Sequence, residues 1–133
     1  MATIGYATKR EPILECTYTD ESPITKDGDT NSFLLTLPKD KWVFPWKVRC
    51  IDMQMSIRLS NGIQALITGC PWMLDEGVHV HPQSLSDGTW VHVYVHRIGL
   101  LPKKLPKGTI IARLTPVESH QCHLLVEHIE GQS

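Results

Sequence analysis

Ile51-Asp52-Met53-Gln54-Met55-Ser56-Ile57-Arg58-Leu59-Ser60-Asn61-Gly62, continuing through Ile63 to Thr68, decides the fold class of this chain. Ile51, Met53, Met55, Ile57 and Leu59 alternate without a break against polar neighbours. That period of two puts one face of a strand on a core and the other in water. Asn61-Gly62 is the pair that best tolerates the positive φ angles of a two-residue hairpin turn. Ile63 to Thr68 is therefore expected to return as the second strand of a hairpin.

The same grammar continues outward. From Thr89 to Arg97, Val91, Val93 and Val95 point one way, while Trp90, His92, Tyr94 and His96 point the other. Thr109 to Val117 is rich in β-branched residues and follows a Lys107-Gly108 turn. Cys122 to Ile129 reads equally as strand or helix. Turn signals recur between short strands and no long amphipathic helix appears, so the expected fold is all-β: a sandwich or a distorted β-barrel, of jelly-roll type. At 133 residues, 1–133 is read as a single domain. Residues 1–30 mix Thr, Asp, Glu, Lys and Pro without a sustained period. They are expected to form a flexible N-terminal arm with one short strand around Ile13 to Tyr18, and ordered structure is expected to begin near Ser32.

Charge and composition exclude several function classes. A formal net charge of −1 supplies no general attraction for nucleic acid, whose binding depends on clustered Lys and Arg. The one basic cluster, Lys103, Lys104 and Lys107, is interrupted by Pro102 and Pro106 and reads as a solvated loop. Met1 to Lys9 lacks the apolar run of a signal peptide, and no segment is long and apolar enough to span a bilayer. No membrane insertion is expected, and the chain is placed in the cytoplasm or nucleus. Cys16, Cys50, Cys70 and Cys122 are widely spaced without a Cys-x-x-Cys pair, which reads as reduced thiols.

Candidate chemistry gathers on the histidines. Residues two apart on a strand share a face, so His79 with His81, and His92 with His96, can project together and bring imidazoles around a zinc or iron ion. His79-Val80-His81 is similar to the first half of the cupin metal motif. That motif continues with a Glu where this chain has Leu85 and Ser86, and with a later His where it has Ile111. The competing reading places these histidines on an outer or subunit-facing strand surface. Cys70, Ser84 and Ser86 are candidate nucleophiles, yet no Gly-x-Ser-x-Gly elbow or phosphate loop is present. Asp52, Asp75 and Glu76 read as solvated carboxylates. Trp42, Phe44 and Trp46, around Pro45, form either a contact patch or ordinary core.

From Ser32 to about Ile129 the order of segments resembles the dUTPase superfamily. The matching runs are Ser32-Phe33-Leu34, Ser60-Asn61-Gly62, Thr68-Gly69-Cys70-Pro71, Val80 to Ser86 and, most specifically, Lys107-Gly108-Thr109-Ile110-Ile111-Ala112-Arg113-Leu114. The resemblance implies a trimer and a nucleotide hydrolase. The departures from it imply the loss of that reaction. Leu34 stands at the metal-binding Asp of the first motif, and Cys70 and Pro71 stand at the phosphate-contacting Arg and Ser. Ser86 stands at the water-positioning Asp, with Asp87 one residue away, and the glycine-rich fifth motif has no counterpart. Leucine cannot ligate Mg²⁺, and Cys-Pro cannot clamp a phosphate.

In format the chain is similar to non-enzymatic viral members of the superfamily, such as the adenoviral early-region-four dUTPase-derived proteins. The expected function is thus a catalytically silent accessory protein, an early viral pseudoenzyme that binds host proteins as a homo-oligomer. No catalytic, cofactor-binding or metal-ligating residue is assigned. The alternatives are a divergent dUTP or nucleotide hydrolase using Asp75, Glu76 or Asp87, and a cupin-like metal-binding β-barrel.

Overall fold

The computed structural model describes residues 2–8, 11–18, 21–28 and 30–118. The elements run β1 (Ala2–Thr8), β2 (Glu11–Tyr18), β3 (Ile24–Lys26), β4 (Phe33–Thr36), β5 (Lys41–Val43), β6 (Arg49–Leu59) and β7 (Ile63–Gly69). They continue with α1 (Pro71–Asp75), β8 (Val78–Val80), β9 (Gln83–Leu85), β10 (Trp90–Arg97), β11 (Lys103–Leu105) and β12 (Ile110–Glu118). Two five-stranded sheets, ordered β1-β2-β6-β10-β8 and β3-β4-β12-β7-β9, enclose the core, and β11-β5 forms a small third sheet. All the pairings between these strands are antiparallel. The all-β expectation holds.

The alternation in β6 is realised residue by residue. Ile51, Met53, Met55, Ile57 and Leu59 are all buried, facing the second sheet. On β10, Val91, Val93 and Val95 are fully buried, while Trp90 and Tyr94 are exposed. The inner faces of the two sheets supply one continuous apolar cluster in which Leu35, Ile67, Ile111 and Leu114 from the second sheet are fully buried. Among the described residues no polar or charged residue is buried, so burial of apolar surface is the dominant stabilising contribution.

The hairpin expected at Asn61-Gly62 does not form a ladder. The turn itself closes, with the Ile63 N–H donating to the Ser60 carbonyl at 3.0 Å. Of its two central residues, however, only Gly62 has a positive φ, +82°. A hairpin turn of type I′ needs positive φ at both, and a turn with it only at the third residue splays the strands it joins. Both edges of β6 are already taken by β2 and β10, and β7 enters the opposite sheet between β12 and β9. The turn is a corner between layers.

The expected arm also carries more strand than its composition suggests. β1, β2 and β3 all lie within residues 1–30, and β2 pairs with β6 from Leu14 opposite Leu59 to Tyr18 opposite Met55. Leu14 and Cys16 are fully buried while Glu15 between them is exposed. A two-residue alternation is too short to stand out in sequence, and the neighbouring strand gives it its meaning. The stretch from Cys122 to Ile129 lies outside the described residues. Among those residues no helix is long and apolar enough to cross a membrane.

Candidate functional site

The segment from β7 to β8 builds one end of the sandwich. β7 closes on Gly69, where a Cβ would sit 3.1 Å from the Val80 Cβ. The missing side chain lets β8 pass close alongside. Cys70 caps α1 with extended backbone, and Pro71 opens it, a position where proline's fixed φ suits the helix and its missing N–H costs nothing. Met73 is buried beneath the helix, and the Trp72 indole N–H donates to the Ile110 carbonyl at 3.0 Å. Gly77, at φ +71°, turns the chain into β8.

Between these elements lies a cavity of about 340 Å³ whose walls include Thr68, Cys70, Pro71, Leu74, Val78 and His79. Its nine lining residues contain no Asp, Glu, Lys or Arg. A triphosphate needs cations or a carboxylate-held metal to neutralise it, and these walls offer neither. The Cys70 thiol is buried and pushed above its ordinary pKa by desolvation. That direction is opposite to nucleophilic activation. Ser84 and Ser86 are exposed, on β9 and just after it.

The carboxylates are dispersed and engaged. Asp87 Oδ1 accepts from the Leu59 N–H at 2.7 Å and from Arg58 Nε at 3.2 Å, and the backbone hydrogen bond is the main reason its pKa is lowered. It caps the end of β6. Glu76 is paired with Lys103, which lowers its pKa, and Asp52 accepts the Gln54 N–H at 2.8 Å. Asp87 and the Asp75-Glu76 pair flank opposite ends of β10. Its eight residues span about 24 Å at strand rise, too far for shared metal or acid–base work. The three lysines are likewise balanced: Lys103 by Glu76, Lys104 by Asp40 at 3.4 Å and Lys107 by Glu21 at 3.5 Å. Lys103 and Lys104 lie in β11 instead of a loop.

The histidines regroup relative to the expected pairs. β10 pairs with β8 so that His96 faces His79, and the His81 N–H donates to the Tyr94 carbonyl at 2.8 Å. His79, His81 and His96 therefore form a triangle with ring centroids 4.9, 5.2 and 5.2 Å apart. His81 Nε2 and His96 Nδ1 are 3.1 Å apart and share a hydrogen bond. His92 stands outside, about 14 Å along the strand from His96, with its carbonyl accepting from the Gln83 side chain.

Burial first, and neighbouring imidazoles second, lower the pKa of both His79 and His81. Both are harder to protonate folded than unfolded. Stability from this cluster is complete above the ordinary histidine value near 6.5 and is lost as pH falls through the lower folded values. The urea midpoint is expected to drop between about pH 7.5 and 5.5. The drop is expected to be smaller in the His79→Gln/His81→Gln variant, and equal drops in both proteins would refute the assignment.

Sequence reasoning did not single out Arg97. Its Nε donates to the Leu101 carbonyl at 3.0 Å and its Nη1 to Gly77 at 3.1 Å and to Glu76. It staples the two loops that hold an exposed apolar surface: Leu74 beside Gly77, and Ile98, Leu100 and Leu101. A lone Arg at a strand end carries no sequence signal for that role. Trp42 and Trp46 are exposed, at 49% and 69%, with Phe44 stacked on Trp46. They are surface and not core. Arg97 N–H also reaches the Phe44 carbonyl at 3.4 Å, placing both patches at one end of the molecule.

No family model matches the sequence, and no curated protein matches it. Solved structures do. The EIAV dUTPase is similar at TM-score 0.69 and 21% identity, covering 81% of this chain and 90% of that one. A mutant dUTPase of phage phi11 of S. aureus is similar at TM-score 0.70 and 9% identity, covering 79% and 90%. A mutant dUTPase of Staphylococcus bacteriophage 80alpha, with dUpNHpp, is similar at 0.69 and 11%, covering 79% and 89%. The fold is that of dUTPases.

Proposed function

We propose that the chain is a non-catalytic interaction module on a dUTPase-like fold, a viral accessory protein that works as a homotrimer on proteins of the host cytoplasm or nucleus. The observation that carries the reading is the uncharged cavity at the β7–α1–β8 end, together with the exposure of Trp42, Trp46, Leu100 and Leu101. Exposed aromatic and aliphatic side chains in a contiguous area mark contact sites. Leu34, Cys70, Pro71 and Ser86, at the positions the family resemblance gives to catalysis, support the same conclusion. The mixed face of β10 toward its start, with Trp90, His92 and Tyr94, suits a subunit contact.

A second reading, a divergent dUTP hydrolase, draws support from the solved dUTPases to which the fold is similar. One assay separates the two. Purified protein with dUTP and Mg²⁺ is expected to release no pyrophosphate above background. Turnover faster than about 1 s⁻¹, the low end of ordinary enzyme rates, would overturn the non-catalytic proposal.

A further inference from the structure

We propose that His79, His81 and His96 form a binding site for one late first-row divalent metal ion, zinc foremost. The triangle has the dimensions of a three-imidazole metal site. With Zn–N near 2.0–2.1 Å and tetrahedral angles, three imidazoles place their centroids about 5.2 Å apart and their ligating nitrogens about 3.3 Å apart. The centroids here stand 4.9, 5.2 and 5.2 Å apart. The nitrogens of His81 and His96 are separated by 3.1 Å.

Two adjacent antiparallel strands hold this spacing. The β8–β10 register fixes His79 opposite His96, and the His81 backbone hydrogen bond to Tyr94 continues the alignment past the end of β8. Packing of Val78, Val80, Val93 and Val95, all buried, anchors both strands from below. The backbone scaffold is therefore preorganised, which is the costly part of a metal site.

The rings must reorient to bind. Among the described residues no group of three His, Cys, Asp or Glu side chains stands in metal-holding geometry, and His81 and His96 instead share a hydrogen bond. Histidine χ2 is soft and roughly two-fold. A tautomer change and a ring rotation turn that hydrogen bond into two metal bonds, one from each imidazole. All three donors are nitrogen and no carboxylate joins them, so the site favours Zn²⁺, Cu²⁺, Ni²⁺ or Co²⁺ over Mg²⁺ and Ca²⁺. Three protein ligands leave a fourth position for water or another donor. The site is independent of whether the chain turns over dUTP.

The test is titration of the full, metal-stripped chain with zinc sulfate by calorimetry, and with Co²⁺ by visible absorption. Saturable uptake of one ion per chain is expected, unaffected by excess Mg²⁺ or Ca²⁺. Altering an outer-shell partner of a metal ligand costs 10–100-fold in affinity, so loss of a direct ligand in His81→Ala or His96→Ala is expected to weaken uptake by about 100-fold or more. Cys50→Ala, an exposed thiol outside the triangle, is expected to leave zinc affinity unchanged. Because an Ala variant can lose its fold, the wild-type histidine ring NMR signals serve as a second readout. Zinc is expected to shift those of His79, His81 and His96. Uptake unaltered in both Ala variants, uptake of one ion per three chains, or unshifted signals from these rings would overturn the proposal.

Discussion

Leu114→Ala is expected to lower the free energy of unfolding by about 2–5 kcal/mol, the range for deleting a buried leucine whose cavity does not close. Leu114 is fully buried in the middle of β12, with Phe33 of β4 on one side and Ile67 of β7 on the other. Both neighbours belong to strands held by ladders, so neither can collapse inward freely. Against a total stability of about 5–15 kcal/mol for a domain, the loss is a large fraction. Urea unfolding is the measurement. The midpoint is expected to fall with the slope unchanged, since the surface exposed on unfolding hardly alters. Leu100→Ala is the matched control, because Leu100 is 94% exposed and is expected to change stability by less than about 0.5 kcal/mol. A Leu114→Ala effect below about 1 kcal/mol would mean that this position is not in the core.

Gly77→Ala is expected to cost about 2 kcal/mol, by two separable routes. The residue sits at φ +71°, where an alanine is strained by roughly 1 kcal/mol. Its Cβ would also stand 2.2 Å from Arg97 Nη1. The guanidinium is the far end of a flexible chain and can retreat, but retreat gives up its hydrogen bonds to Gly77 and Glu76. Partial exposure of those bonds keeps their contribution near the low end of about 1 kcal/mol. A double-mutant cycle isolates the second route: with Arg97→Ala in the background, Gly77→Ala is expected to cost at least about 0.5 kcal/mol less. Strict additivity would show that Arg97 does not staple this turn.

These two positions differ in how visible they are in the sequence. Leu114 lies in a β-branched run that reads as strand, and its neighbours Arg113 and Thr115 supply the alternation. Gly77 and Arg97 are 20 residues apart, and nothing local to either announces that one side chain fills the space beside the other. Turn chemistry was legible as turn but not as topology. Asn61-Gly62 marks a reversal, and whether the reversal closes a ladder depends on the φ of both residues and on which strand edges are free. Composition also understated the first 30 residues, because the burial of Leu14 and Cys16 is conferred by β6.

For the candidate site, sequence located the histidines and gave them a shared face without giving them the right company. Spacing of two pairs His79 with His81. The β8–β10 register then adds His96 and leaves His92 apart. For the carboxylates, sequence offered Asp75, Glu76 or Asp87 to a divergent hydrolase without giving the distances between them. The strand lying between them, and the partners of Glu76 and Asp87, were needed to separate them.

The sequence by itself determined that the chain is all-β and which strand faces turn to a core. Side-chain period and residue identity are local properties, and they survive any rearrangement of strands. Only the tertiary structure decided that β6 and β7 belong to opposite sheets, that His79, His81 and His96 meet, and that the cavity beside α1 is uncharged. Those outcomes rest on register and on contacts between residues far apart in the chain, which are fixed when the whole core packs.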